Sequence, residues 1–167
     1  HRSMLDIPIL GFAVFRPMRF MAKKDLFANK FIKWYFETNG SFSVDKNDSD
    51  PAAVKKAVTI LKSGDVLVVF PEGKRSKEPQ VGEMIPGAGF IAIKAKAPIL
   101  PIGISNLDNP FKLKFGFIPW FSRAKIVIGE PIISHLERSE KSSTVLNELL
   151  PLLQEQIQNL YDESLEI

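Results

Sequence analysis

Residues 50–76 read DPAAVKKAVTILKSGDVLVVFPEGKRS and contain a helix, a strand and a charged turn in succession. The segment 50–61 predicts a helix, because it opens with a capping aspartate followed by proline and its apolar residues recur at helical spacing. Gly64 then supplies a stop signal. The apolar, β-branched run 66–70 predicts a strand that is buried on both faces.

The rest of the chain continues this alternation of helices and strands. Two further strands are predicted at 99–104 and 125–128, and an amphipathic helix at 143–161, which Pro151 should kink or divide. The 167 residues are 45% hydrophobic, contain no repeat and have the length of one domain. The pattern predicts a single α/β domain with a mostly parallel or mixed central sheet flanked by helices.

Composition excludes several chemistries. The chain has no cysteine, which rules out disulfides, thiolate metal sites and an acyl-cysteine intermediate. With two distant histidines and scattered acids, we predict no metal site and no bound cofactor. The longest uncharged apolar runs reach about half of the ~20 residues that a transmembrane helix needs, so we expect no bilayer crossing within this chain. Because it begins at His1, we expect an upstream segment that could anchor it to a membrane.

The net charge of +3 is unevenly distributed. Residues 11–36 contain six basic residues against one acid, together with six of the 13 phenylalanines, whereas residues 137–167 contain seven acids against two basic residues. Cations interleaved with aromatic rings suit an anionic membrane surface or a nucleic acid. A second stretch, residues 111–121, suits either another membrane contact or a hairpin half-buried on the sheet.

His1 and Asp6 are separated by four residues. On a regular helix this offset corresponds to about 140° of rotation, so the pair can meet only in a turn or at a helix start. If they meet, Asp6 can orient the imidazole and stabilise its protonated form, which leaves the other nitrogen of His1 free to act as a general base. The spacing alone also fits an incidental terminal histidine.

The predicted strand 66–70 leads into Glu72, Gly73, Lys74 and Arg75. Ligands of open α/β sheets bind just beyond the carboxyl ends of the strands. Cations at that place suit a phosphate, which arginine can bind with two nitrogens. A solvated charged turn is the alternative interpretation.

Residues 40–46 form a third candidate. Gly40 allows a close approach of the backbone to a ligand, and Lys46 adds another cation. The same residues also fit an ordinary loop followed by a strand.

Four segments resemble, in order, the sequence blocks of the 1-acyl-sn-glycerol-3-phosphate acyltransferase family, also called lysophosphatidate acyltransferases, within the glycerolipid acyltransferase superfamily. These segments are residues 1–6, 40–46, 70–76 and 97–102. The first has the family's His and Asp separated by four residues, and the last is a proline-flanked hydrophobic strand. Four blocks in the right order are more specific than any one of them. The resemblance extends from His1 to about residue 133.

The resemblance implies a catalytic pair and a substrate site. His1 would deprotonate the free hydroxyl of a lysophospholipid while Asp6 holds its ring. The glycerol-phosphate site would consist of Gly40, Lys46, Glu72, Gly73 and Arg75. Since phosphate repels a carboxylate, Glu72 would bind glycerol hydroxyls or orient Arg75. Backbone amides around Gly73 or near Pro98 would stabilise the oxyanion and hold the acyl donor.

The implied reaction transfers a fatty acyl group from acyl-CoA or acyl carrier protein to 1-acyl-glycerol-3-phosphate, which gives phosphatidic acid in phospholipid biosynthesis. It would take place at the cytoplasmic face of the membrane, with residues 12–36 resting on the anionic surface. Two departures from the family pattern, Lys46 in place of the usual Arg and Lys74 in place of a common Thr, concern the acceptor headgroup. They leave the catalytic pair intact.

Two alternatives remain open. The acceptor could be glycerol-3-phosphate or another lysophospholipid, because the four blocks do not separate these. The chain could instead be a non-catalytic peripheral protein that binds anionic lipid or nucleic acid through its basic face. Against nucleic acid, the cations are few and no recognised nucleic-acid motif is present, so we predict no nucleic-acid partner.

Overall fold

The computed structural model describes residues 6–14, 16–24, 30–44, 50–74, 78, 80–105, 125–133 and 142–166. The helices in these residues are α1 (Asp6–Ala13), α2 (Lys30–Thr38), α3 (Pro51–Lys62), α4 (Pro86–Ala95) and α5 (Ser142–Glu166). The strands are β1 (Met18–Lys23), β2 (Phe42–Val44), β3 (Val66–Val68), β4 (Ile102–Ser105) and β5 (Lys125–Ile128). The predicted contact at 111–121 lies outside the described residues, as do His1, Lys46 and Arg75.

The central sheet has three parallel strands in the order β2-β1-β3. Met21 lies opposite Phe42 and Met18 lies opposite Val66, so the outer strands pair with different halves of β1. The connections from β1 to β2 and from β2 to β3 contain helices α2 and α3, as crossovers between parallel strands usually do. A separate antiparallel pair is formed by β4 and β5. The predicted α/β class, with a parallel sheet flanked by helices, is confirmed.

The helix predicted at 50–61 is α3, and both of its ends have the expected chemistry. The Asp50 carboxylate accepts hydrogen bonds from the backbone amides of Ala52 and Ala53, each at 3.0 Å. Such a cap contributes about 1 kcal/mol. Beyond the other end, Gly64 has a φ of +84°, which glycine adopts without steric cost.

The strand predicted at 66–70 is shorter and less buried than expected. The structure assigns Val66–Val68 as β3, and each of its residues is half-buried. In the described part of the chain β3 is an edge strand that pairs with β1 alone. Side chains of residues 66–70 line a cavity of about 610 Å³, and residues 97–104, which lead into β4, line it too. The cavity therefore separates β3 from β4 and leaves β3 only partly covered.

The terminal helix is continuous. It extends from Ser142 to Glu166 and passes through Pro151 without being divided. Proline lacks the amide that would bind the carbonyl of Asn147. Since Pro151 and Asn147 are both exposed, water can solvate that carbonyl, and the helix tolerates the missing bond.

Close packing holds α5 against β4 and α4. A Cβ on Gly103 of β4 would collide with the backbone of Leu160, and a Cβ on Gly89 of α4 would press on Leu146. The buried cluster at this junction consists of Ile93, Leu149 and Leu153. Helix α5 thus covers the elements on one side of the cavity.

Candidate active site

Asp6 is the first residue of α1 and is buried, with 2% of its surface exposed. Ile7 and Leu10 of the same helix belong to the core cluster that covers β1, which fixes the position of the helix start. A carboxylate in a first turn is favoured by the helix dipole. Asp6 also lines the cavity beside β3. The predicted contact between His1 and Asp6 stays a prediction, because His1 lies outside the described residues.

The turn after β3 places a second buried carboxylate on the cavity. The amide of Gly73 donates to the carbonyl of Phe70 at 3.0 Å, which closes a turn in which Gly73 has a φ of +63°. Glu72 has 7% of its surface exposed and lines the cavity. Its Oε2 accepts a hydrogen bond from the amide of Gly82 at 3.0 Å. Burying a carboxylate is costly without such donors, so the backbone of residue 82 helps to fix Glu72.

Residues 81–85 run alongside this turn. The amide of Ile85 donates to the carbonyl of Pro71 at 2.7 Å, and a Cβ on Gly73 would collide with the Ile85 side chain. The amide of Val81 donates to Oε1 of Gln158 in α5 at 2.7 Å. This segment connects the Glu72 turn to the terminal helix. Sequence reasoning missed it, because its contacts use backbone amides that no residue-type pattern marks.

The first turn of α4 offers further amides near the site. Helix α4 begins directly after Ile85, and its Ala88 lines the cavity. The first four positions of a helix lack acceptors within the helix for their amides. Here Pro86 has no N–H, and the amide of Ile85 already donates to Pro71. The amides of Gly87 and Ala88 are therefore the ones that can stabilise negative charge. By contrast, the amide of Gly73 already donates within its turn.

Pro98 lies at the other end of α4. Gly73 packs against Ile85 at the start of the helix, whereas Pro98 follows its C-cap, Lys96. The ten residues of α4 correspond to about 15 Å of helix. The structure therefore does not bring together Pro98 and Gly73, which were predicted as alternative places for the oxyanion donors. Pro98 lines the same cavity as Asp6 and Glu72, and its role stays a prediction.

Gly40 also lies apart from Glu72 and Gly73. It precedes β2, at the end of the sheet where the parallel strands begin, whereas Glu72 and Gly73 follow β3 at the opposite end. Gly40 has a φ of +69°, and the guanidinium of Arg19 packs against it. Its predicted role in the substrate site stays a prediction, and its contacts in the structure are those of a turn.

Part of the aromatic and basic stretch 12–36 belongs to the fold and not to an exposed surface. Phe20 and Phe36 are 3% and 1% exposed, and their ring centroids are 5.8 Å apart in the core. Arg19 pairs with Asp65, Nη2 to Oδ2 at 2.7 Å. The expectation that the whole stretch rests on a membrane is therefore wrong for Phe20 and Phe36, while Arg19 is partly exposed and engaged in this ion pair. Phe20 on β1 and Phe36 on α2 face the same core cluster, which explains their burial.

Trp34 remains as an exposed aromatic residue of the stretch, with 60% of its surface accessible. Lys30 and Lys33 are exposed on the same helix. Lys30 precedes Lys33 by three residues and Trp34 by four, so the three side chains share one face of α2.

Within the described residues, no helix has both the length and the apolar character that crossing a bilayer requires.

Sequence reasoning also missed the cavity beside β3. Its volume of about 610 Å³ lies within the roughly 300–1,000 Å³ of typical small-molecule sites. Its apolar lining includes Leu10, Val14, Met18, Val68, Phe70, Met84, Ile99, Ile102, Leu153 and Ile157. Asp6 and Glu72 add two buried carboxylates to this lining. An apolar space beside two fixed carboxylates suits a ligand with a long hydrocarbon chain and a polar end.

Comparison with known proteins gives concordant results. A family model described as "Acyltransferase" matches residues 1–105. The 1-acyl-sn-glycerol-3-phosphate acyltransferase of Bacillus subtilis is 29% identical over 169 residues, and the match covers 98% of this chain and 80% of that protein. The protein of the same name from Streptococcus pneumoniae is 33% identical over 170 residues, which cover 98% of this chain and 59% of that protein.

A solved structure agrees with the sequence matches. The crystal structure of the 1-acyl-sn-glycerophosphate (LPA) acyltransferase PlsC from Thermotoga maritima matches with a TM-score of 0.72 at 27% identity. The match covers 98% of this chain and 63% of that chain, so the present chain spans about three fifths of its length. The predicted family and enzyme class are thereby confirmed: the chain belongs to the acyltransferase family and is a glycerolipid acyltransferase.

Proposed function

We propose that the chain transfers a fatty acyl group from a thioester donor, acyl-CoA or acyl carrier protein, to the free hydroxyl of 1-acyl-glycerol-3-phosphate, with phosphatidic acid as the product. The observation that supports this most is the apolar cavity with Asp6 and Glu72 in its wall. Both substrates have a long apolar chain beside a polar reacting group. The names of the relatives from Bacillus and Streptococcus point to the same acceptor.

In the proposed reaction His1 takes the proton of the acceptor hydroxyl as its oxygen attacks the thioester carbonyl. Asp6 orients the imidazole and stabilises the imidazolium that forms. The new C–O bond forms before the C–S bond breaks, and the proton passes from His1 to the departing thiolate. Because the pKa of a hydroxyl is far above that of imidazole, about 6.5, proton removal must accompany the attack.

The tetrahedral intermediate needs fixed donors for its oxyanion. Such donors contribute roughly 3–4 kcal/mol each. The Gly73 amide is engaged in its own turn, so we assign this role to the amides of Gly87 and Ala88 in the first turn of α4, where Ala88 lines the cavity. Glu72 would then bind glycerol hydroxyls, with Arg75 and Lys46 as the predicted phosphate ligands.

We also propose that the chain works on an anionic membrane surface and meets it through the α2 surface, defined as Lys30, Lys33 and Trp34. All three side chains are exposed and share one face of the helix. Each cation at an anionic surface contributes about 1 kcal/mol, and an indole ring suits the headgroup region. The anionic leaflet of a cell membrane faces the cytoplasm, which is consistent with the predicted location.

The test is to identify the lipid product. The protein is incubated with palmitoyl-CoA, or with palmitoyl-acyl carrier protein, and with 1-acyl-glycerol-3-phosphate in mixed micelles, and the lipids are analysed by mass spectrometry. We expect phosphatidic acid with at least one donor. Parallel reactions contain glycerol-3-phosphate or lysophosphatidylcholine. Product from one of these alone would contradict the proposed acceptor, and no product from any pair would leave a binding protein as the better account.

A further inference from the structure

The side-chain amide of Gln158 in α5 makes two hydrogen bonds, one as an acceptor and one as a donor. Its Oε1 accepts from the amide of Val81 at 2.7 Å, and its Nε2 donates to Oδ1 of Asp162 at 2.9 Å. An ionised aspartate can only accept, so Asp162 determines which end of the Gln158 amide faces Val81. The terminal helix therefore holds the backbone of residue 81 with an oriented side chain.

The next residue along the chain binds Glu72. The amide of Gly82 donates to Glu72 Oε2 at 3.0 Å, and a Cβ on Gly82 would lie 3.1 Å from the same oxygen, tighter than an ordinary contact. Glycine thus permits the approach. Successive peptide groups are rigid planes that share one Cα, so a shift of the Val81 amide also displaces the amide of Gly82.

We propose that Gln158 is a positioning residue for the acceptor site. By holding the Val81 amide it sets the place of the Gly82 amide, and through that amide the place of the Glu72 carboxylate. The inference rests on the proposed function, in which Glu72 binds the acceptor. Removing the Gln158 contact should weaken acceptor binding and leave the chemistry at His1 and Asp6 intact.

The first test replaces Gln158 by Leu, which removes both hydrogen bonds and leaves an apolar side chain on the helix. We expect the KM for 1-acyl-glycerol-3-phosphate to rise about fivefold, the factor that one lost hydrogen bond of about 1 kcal/mol gives. The kcat and the KM for palmitoyl-CoA should not change. Gln154→Leu is the matched control, because Gln154 lies one turn earlier on α5. Gln154 also lines the surface recess that Val81 and Gln158 line. It should alter none of these quantities.

A pair of exchanges tests the orientation of the bridge. Gln158→Glu alone keeps an acceptor for the Val81 amide but places two carboxylates one helical turn apart, where like charges repel, so the acceptor KM should rise by less than in Gln158→Leu. Combining it with Asp162→Asn swaps donor and acceptor, because the new carboxylate can accept from both the Val81 amide and the new side-chain amide. The double variant should regain the wild-type KM, which a general loss of stability would not explain.

Amide hydrogen exchange distinguishes a failure of the proposed role of Gln158 from a failure of the proposed acyl-transfer function. In Gln158→Leu the amides of Val81 and Gly82 should exchange faster than in wild type, whether or not the assay uses the right acceptor. Faster exchange in a protein without lysophosphatidate activity would contradict the proposed function alone. An unchanged acceptor KM in an active Gln158→Leu variant, a KM that rises only together with a fall in kcat, or unchanged exchange at both amides would overturn the role of Gln158.

Discussion

The guanidinium of Arg19 lies against Gly40 and also binds Asp65, with Nε and Nη2 at 3.0 and 2.7 Å from Oδ2. Arg19 is in β1, Gly40 precedes β2, and Asp65 precedes β3. The side chain of Arg19 therefore contacts residues at the starts of β2 and β3 from its own position near the start of β1. This end of the sheet is opposite to the turn that contains Glu72, and Arg19 stabilises it through these contacts.

Replacement of Gly40 by Ala should destabilise the fold more than replacement of Gly64. Both glycines have a positive φ, +69° and +84°, and alanine there costs roughly 1–2 kcal/mol. Among the described residues nothing lies within 4 Å of a Cβ on Gly64, whereas a Cβ on Gly40 would collide with Arg19. Chemical denaturation measures the difference. In an Arg19→Ala background the two substitutions should cost the same, and a persistent difference would contradict the contact.

Glu72→Gln should raise the KM for the acceptor about tenfold, because a hydrogen bond to a charged group contributes about 1.5 kcal/mol or more. The amide side chain can still accept from Gly82, so the turn should keep its structure. Steady-state kinetics with each substrate varied in turn measures the effect. Glu83→Gln, at an exposed position in the neighbouring segment, is the control and should behave as wild type. An effect on the donor KM alone would move Glu72 to the donor site.

The α2 surface should be needed for binding to anionic vesicles. The triple variant Lys30→Glu, Lys33→Glu, Trp34→Ala should lose co-sedimentation with phosphatidylserine-containing vesicles, since each cation contributes about 1 kcal/mol. Lys55→Glu with Lys62→Glu, two exposed positions on α3, makes the same change in net charge and should still bind. Equal loss in both variants would mean that net charge, and not this surface, governs binding.

Ile157→Trp should reduce activity toward long acyl chains selectively. Ile157 is half-buried on α5 and lines the cavity, so an indole there would fill part of its volume. We expect the rate with palmitoyl-CoA to fall more than the rate with octanoyl-CoA. Leu152→Trp, at a position of the same helix that is 42% exposed, should change neither rate. Equal reduction for both chain lengths would indicate that the cavity does not hold the acyl chain.

The elements that local chemistry specifies were predictable from the sequence. The cap at Asp50, the stop at Gly64 and the strand Lys125–Ile128 all follow from residue types within a few positions. The α/β class followed from their alternation. The organisation as a single domain stays a prediction, as does the contact between His1 and Asp6.

Features that depend on tertiary packing were not predictable. The run 66–70 has the composition of a fully buried strand, and its partial exposure results from the cavity between β3 and β4. Phe20 and Phe36 share a stretch with exposed cations, and only the packing of β1 and α2 in the fold shows that they face the core. The bridge from Gln158 to Val81 joins residues far apart in sequence through a backbone amide, which leaves no trace in residue types.

The most direct test of the account is the release of free CoA thiol from palmitoyl-CoA in the presence of 1-acyl-glycerol-3-phosphate. We predict acceptor-dependent release by the wild-type protein, and a loss on the order of 10³-fold or more in His1→Ala and in Asp6→Asn. Glu130→Gln, at an exposed position, should remain active. Thiol release that does not depend on His1 and Asp6 would contradict the proposed catalytic pair.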